Sequence, residues 1–96
     1  MTDLRKLARG RDCQVRLPGC TNDTETTVLA HVRIAGISGM SHKAPDLLGA
    51  YCCYRCHLIV DRQTNTDFDP EFLRLALLEG MARTQTILIR EGVVKT

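Results

Sequence analysis

Four cysteines fall into two pairs, Cys13 with Cys20 and Cys53 with Cys56, and this arrangement restricts the chain more than any other feature. The second pair is Cys-x-x-Cys, a spacing that lets two thiolates bind one tetrahedral metal from a tight turn. The first pair has six intervening residues, but the Pro18-Gly19 turn signal before Cys20 can fold segment 13–20 into a knuckle that presents both thiols to one point. Together the pairs predict a closed structural zinc site with four thiolate ligands at Zn–S distances of about 2.3 Å. A chain of 96 residues has a thin core, so a metal that joins the knuckle to a later helix can supply much of the folding free energy. The alternatives are a redox Cys-x-x-Cys and buried free thiols. A redox pair normally follows a strand and opens a helix in a βαβ unit, a context this sequence lacks. The fifth cysteine, Cys52, points away from Cys53 where the chain is extended, and reads as a small core residue. Cys52 in place of Cys53 is the alternative ligand.

The formal net charge of +2 is too small to argue a nucleic-acid partner by itself. Its distribution is more telling. Arg5, Lys6, Arg9 and Arg11 crowd the first eleven residues, and Arg16, Arg33, Lys43, Arg55 and Arg62 follow. Each also reads as solvated surface charge, the reading favoured for Arg55. Two Tyr, two Phe and no Trp make base-stacking platforms an unpromising expectation. No apolar stretch approaches the roughly 20 residues that span a bilayer. The basic N-terminus is not followed by an apolar core, so it does not read as a signal peptide. The expectation is a cytoplasmic protein, where clustered cysteines hold metals rather than disulfides.

Residues 1–12 suit a short basic helix or arm, and residues 21–26 a polar loop. Residues 27–34 are rich in β-branched side chains and predict a strand. Gly36, Gly39 and Pro45 mark 35–46 as a loop. The apolar run 47–53 predicts a second short strand or turn, 54–63 a helix and 64–69 a linker. A long helix over about 70–91 has the clearest signature. Asp69 can cap it, Pro70 suits its first position and Glu71 suits the dipole. Phe72, Leu73, Ala76, Leu77, Met81, Ile87 and Leu88 recur at helical spacing, Gly80 weakens the middle and Gly92 can stop it. The apolar surface between Phe72 and Leu88 also offers a dimer face, so the chain is expected to be a monomer or homodimer. The class is α+β, as one domain over residues 1–96.

Three histidines complete the constellation: His31 in the candidate strand, His42 in the loop and His57 after the second cysteine pair. Asp61 lies four residues beyond His57, so on a helix the two share a face. An imidazole and a carboxylate so placed can hold one divalent metal and leave positions open for water and phosphate. A satisfied helix-start histidine and a surface aspartate are the plain alternatives.

The order Cys13…Cys20, LAHVR, a Gly-rich loop and then PDLLGAYCCYRCHLIVD resembles the HNH, or ββα-metal, endonuclease family over residues 13–62. More narrowly, the whole chain resembles the YbcO-like family of lambdoid prophages, described as nucleases. A more distant resemblance is to a phage nuclease that acts with the RecA recombinase. The resemblance implies a small zinc-stapled ββα-metal core followed by the long helix, and metal-dependent hydrolysis of DNA with little sequence specificity. It implies His31 as the base that activates water, and His57 and Asp61 as ligands of a catalytic Mg²⁺, Mn²⁺ or Zn²⁺. Asp46 is the candidate for the family's Asn-bearing turn, although it lies farther from Cys53 than the common spacing. Ala30 occupies a position where the family often has a metal-binding Asp or His, and His42 is a candidate replacement ligand. Arg33, Lys43 and Arg62 are candidate phosphate contacts. DNA and a RecA-type recombinase are the implied partners, with no membrane. The competing reading is a non-catalytic zinc module that binds DNA or protein.

Overall fold

A computed structural model describes residues 3–34, 36–37, 45–61 and 64–95. Five elements follow in order: α1 (Leu4–Leu7), β1 (Val28–His31), β2 (Gly49–Cys52), α2 (Tyr54–Val60) and α3 (Pro70–Arg90). Short 3₁₀ turns at Thr24–Thr26 and Asp46–Leu48 precede the two strands. The expected His42, Lys43 and Arg62 contributions lie outside the described residues.

β1 and β2 pair antiparallel, with Leu29 opposite Tyr51, Ala30 opposite Ala50 and His31 opposite Gly49. Side chains alternate across the ribbon, so each face receives a different set. Ala30, Ala50 and Cys52 pack with Val15, Leu17, Ile59, Leu73 and the other buried cysteines. Leu29 and Tyr51 pack on the opposite face with Ala8 and Leu88, flanked by Leu4, Leu7, Val93 and Val94. A two-stranded ribbon is marginal alone, and burial on both faces gives it the support it needs.

The edge of β2 away from β1 is closed by polar groups from two other segments. The Tyr51 N–H donates to Thr84 Oγ1 at 2.9 Å. The Tyr51 carbonyl accepts from the Gln14 N–H at 2.7 Å. Thr84 in turn donates to the Gly80 carbonyl at 2.8 Å, inside α3. Both main-chain groups of Tyr51 on this edge are thus satisfied within the chain.

Gly80 has a packing reason. A Cβ there would lie 3.0 Å from Val15 Cγ2 and 3.2 Å from the Gln14 carbonyl. The bare backbone lets α3 press against the segment that carries Cys13. The buried stripe of α3 runs through Leu73, Gly80, Thr84 and Leu88, while Phe72 is exposed and stacks on Phe68 with ring centroids 5.6 Å apart. Asp69 caps the helix by accepting from Glu71 N–H at 2.9 Å, with Pro70 at its start. Its end is a Schellman turn: Gly92 has φ of 74°, Gly92 N–H donates to Ile89 and Val93 N–H to Leu88.

Three boundaries differ from the sequence expectation. β1 stops at His31, although Val32 N–H still bonds the Leu48 carbonyl at 2.8 Å. The run 47–53 begins as a 3₁₀ turn after Pro45, so only Gly49–Cys52 is strand. α2 ends at Val60, because Asp61 sits at φ −84°, ψ 0° and serves as the cap.

Candidate metal centre and candidate active-site cleft

The knuckle forms as its residues dictate. Cys20 N–H donates to the Leu17 carbonyl at 2.8 Å across Pro18-Gly19, and Gly19 has φ of 80°. Proline then glycine with positive φ is the signature of a type II turn. The reversal brings Cys20 back beside Cys13, while Cys53 caps α2 and Cys56 lies in its first turn. The four sulfurs lie within 4.8 Å of one another, and Cys20 and Cys53 are 3.6 Å apart. Tetrahedral coordination at a Zn–S distance of about 2.3 Å separates sulfurs by about 3.8 Å. The donor set therefore fits one tetrahedral ion, and it is the one cluster of three or more such ligands among the described residues. Cys13, Cys53 and Cys56 are buried and Cys20 partly so.

Cys53 belongs to the cluster of four and Cys52 does not. Cys52 is fully buried in β2, as expected of a small core residue. Cys13 is nevertheless within hydrogen-bonding reach of Cys52 and Cys56, contacts that hold its thiol far below the ordinary range. The same contacts with Cys13, together with burial, push the Cys52 and Cys56 thiols up. Burial raises Cys20 as well.

Backbone N–H groups support the sulfurs: Arg16 and Cys53 toward Cys13, Leu17 toward Cys56, and Asn22 to Cys20 Sγ at 3.3 Å. Asn22 does more. Its Oδ1 accepts from the Cys13 N–H at 2.7 Å and its Nδ2 donates to Asp12 at 3.1 Å. Its φ of 48° is left-handed, where asparagine is tolerated better than most residues. In sequence Asn22 falls within the polar loop 21–26, and its place two residues past Cys20 is the one local signal of this role. Arg55 also departs from expectation. Its guanidinium packs against Gly19, within 3.0 Å of where a Cβ would stand, and its Nη1 is buried without a hydrogen-bond partner. Rather than a solvated surface charge, Arg55 is a cation placed beside the turn that presents Cys20.

A second constellation lines a cleft of about 440 Å³ formed by Arg5, Val28, Leu29, His31, Arg33, His57 and Asp61. His31 is half-buried, and its Nε2 lies 2.7 Å from Asp46 Oδ1. Arg5 Nε donates to the same oxygen at 3.3 Å. The His31 contact, reinforced by Arg5, holds the Asp46 carboxyl below the usual carboxylate range. Gly49 opposite His31 keeps this corner tight: a Cβ there would sit 2.5 Å from Leu29 Cγ and 3.1 Å from the Asp46 carbonyl. His57 Nε2 lies 2.9 Å from Asp61 Oδ2. Although Asp61 falls outside α2, its N–H bonds the His57 carbonyl at 3.0 Å, so the expected pairing holds. Two ligand atoms at right angles, each about 2.1 Å from one ion, stand about 3.0 Å apart, so this pair fits two adjacent positions on a divalent metal. The structure thus brings His31, Asp46, His57, Asp61 and Arg33 to one corner. Arg5, which belongs in sequence to the basic arm, also lines this cleft.

Fold and site define a small α+β chain with a four-thiol cluster capable of holding a metal, beside a cleft bearing two histidine–carboxylate pairs. The family described as "Putative nuclease YbcO" matches residues 2–93, and the chain belongs to that family. It is 51% identical to "Putative nuclease YbcO" of Escherichia coli (strain K12) over 96 residues, 99% of each chain. The same identity and coverage hold for "Putative nuclease ybcO" of Enterobacteria phage 82. A solved structure described as "Structure of a putative bacteriophage protein from Escherichia coli str. K-12 substr. MG1655" is 47% identical. It superposes with a TM-score of 0.79 and covers 94% of this chain and 100% of that one.

Proposed function

We propose that the protein is a metal-dependent DNA endonuclease of the HNH type, with structural zinc on Cys13, Cys20, Cys53 and Cys56. The observation that carries this reading is the convergence on one cleft of His31, whose Nε2 meets Asp46 behind it, with the His57–Asp61 pair. The nuclease description of relatives 51% identical over the full chain supports it.

A phosphodiester resists hydrolysis because its charge repels the nucleophile. His31 answers the first need, a deprotonated water. Its Nε2–H donates to anionic Asp46, which fixes the tautomer and leaves Nδ1 as the proton acceptor. Asp46 then stabilises the imidazolium that forms. His57 and Asp61 are the residues that would hold a catalytic divalent ion, Mg²⁺, Mn²⁺ or Zn²⁺. Such an ion, when bound, supplies charge neutralisation at phosphate and leaving oxygens. Arg33, at the cleft wall, contributes a phosphate contact that positions the strand. Contacts of this kind are to charge rather than to base edges, so the reading carries little sequence specificity.

One observation favours a second reading, a non-catalytic zinc module that binds DNA or protein. Ala30 offers no side-chain ligand beside His31, and among the described residues the four cysteines are the one cluster of three or more candidate metal ligands. Cleavage of supercoiled and single-stranded DNA, with Mg²⁺ or Mn²⁺ and with chelator, separates the two. His31→Ala, folded and with full zinc content, should lose at least about 100-fold of a metal-dependent rate, the usual scale for a general base. Undiminished cutting by His31→Ala would overturn the assignment of the base. Absence of cutting by the wild type, with RecA filaments also present, would favour the binding module.

A further inference from the structure

We propose that the exposed side of α1 and the turn after it is a phosphate-binding track that leads a nucleic-acid strand into the His31 cleft, through Arg5, Lys6 and Arg9. This inference rests on the nucleic-acid reading of that cleft.

A second groove, of about 510 Å³, runs between α1 and the turn that leads into β1. Arg5, Lys6 and Arg9 line one wall; Glu25, Thr26 and Thr27 line the other. Arg5 and Val28 line both this groove and the catalytic cleft, so the two adjoin across those side chains. Three cations face one carboxylate there, which leaves the groove positive. Lys6 and Arg9 are exposed, and among the described residues neither side chain is engaged with a carboxylate. Arg5 is the junction: its Nε bonds Asp46 while its guanidinium borders both spaces.

The walls are fixed to each other before any ligand arrives. Leu4, Leu7 and Ala8 anchor α1 in the Leu29–Tyr51–Leu88 cluster, and Gly10 N–H donates to the Thr24 carbonyl at 2.9 Å. A preformed groove of clustered cations, opening onto a phosphodiester-cleaving corner, suits a polyanion of regular charge spacing. The ligand is the sugar–phosphate backbone, bound without regard to sequence because these cations contact charge rather than base edges.

The test is equilibrium binding of a fluorescein-labelled oligonucleotide, single-stranded and duplex, to the zinc-loaded full chain over about 50 to 300 mM salt. The double variant Lys6→Gln/Arg9→Gln is compared with wild type and with Lys95→Gln, which removes an equal type of charge outside both grooves. The track predicts a log-affinity against log-salt slope shallower by about 1.4 on single strands and about 1.8 on duplex, two phosphate contacts' worth. Lys6→Arg/Arg9→Lys, which preserves charge, should restore the slope. A double variant with wild-type affinity and slope, or a Lys95→Gln effect of equal size, would overturn the track and leave the cleft's activity to the His31→Ala assay. Wild-type protein that binds neither oligonucleotide at the lowest salt would overturn the track together with the reading beneath it.

Discussion

Asn22 shows how much can rest on one side chain. It ties both arms of the knuckle, bonding Cys13 N–H through its amide oxygen and Cys20 Sγ through its backbone N–H. Partners of this kind orient metal ligands, and their loss typically costs 10- to 100-fold in affinity. Asn22→Ala should weaken zinc retention by about that factor, read by competition with a chromophoric chelator. Loss of the left-handed preference adds to the effect. The cysteine cluster was legible because spacing and a Pro-Gly turn are local features. Asn22 and Arg55 were not, because their roles depend on where a folded knuckle puts them. Arg5 was hidden for the same reason: only α1 docking under the sheet brings it to Asp46.

At the level of elements, the seam between β2 and α3 sets the geometry of the site. Thr84 is fully buried and supplies the acceptor for the Tyr51 N–H. Thr84→Val keeps the shape and removes the hydroxyl, so a buried donor loses its partner at a cost of about 1–3 kcal/mol. Urea unfolding should register that loss, while Thr84→Ser should retain the hydrogen bond. Gly80 and Thr84 also mark the limit of pattern reading. The apolar periodicity of α3 was plain, and its cap and stop were placed within a residue. From sequence Gly80 reads as a weak point and Thr84 carries no signal, because the merit of each lies in a neighbour's backbone.

At the scale of the whole molecule, the four thiols join two distant stretches of chain across the face of a two-stranded ribbon. Cys13 and Cys20 come from before the sheet, Cys53 and Cys56 from after it. Apart from a metal held there, the knuckle meets α2 through the packing of Val15 and Leu17 with Ile59 and through Arg55 against Gly19. A chelator strong enough to strip zinc should lower the unfolding midpoint, read by circular dichroism against added zinc. Midpoints that coincide with and without chelator would sink the structural role. The α+β class and the order strand, strand, helix, long helix were legible in the sequence. What was not legible is that both faces of the ribbon are covered, since that depends on α1 and on the residues after α3 meeting beneath it.

That meeting has a mechanical side. Arg11 and Glu91 form an ion pair, and Leu4, Leu7, Val93 and Val94 share one cluster around Leu88. A pull on the two ends of the described chain is borne first by this clamp, on the face of the ribbon opposite Ala30, Ala50 and Cys52. The thiol cluster lies on the other face, outside the load path until the clamp gives way, so tension reaches the four cysteines last.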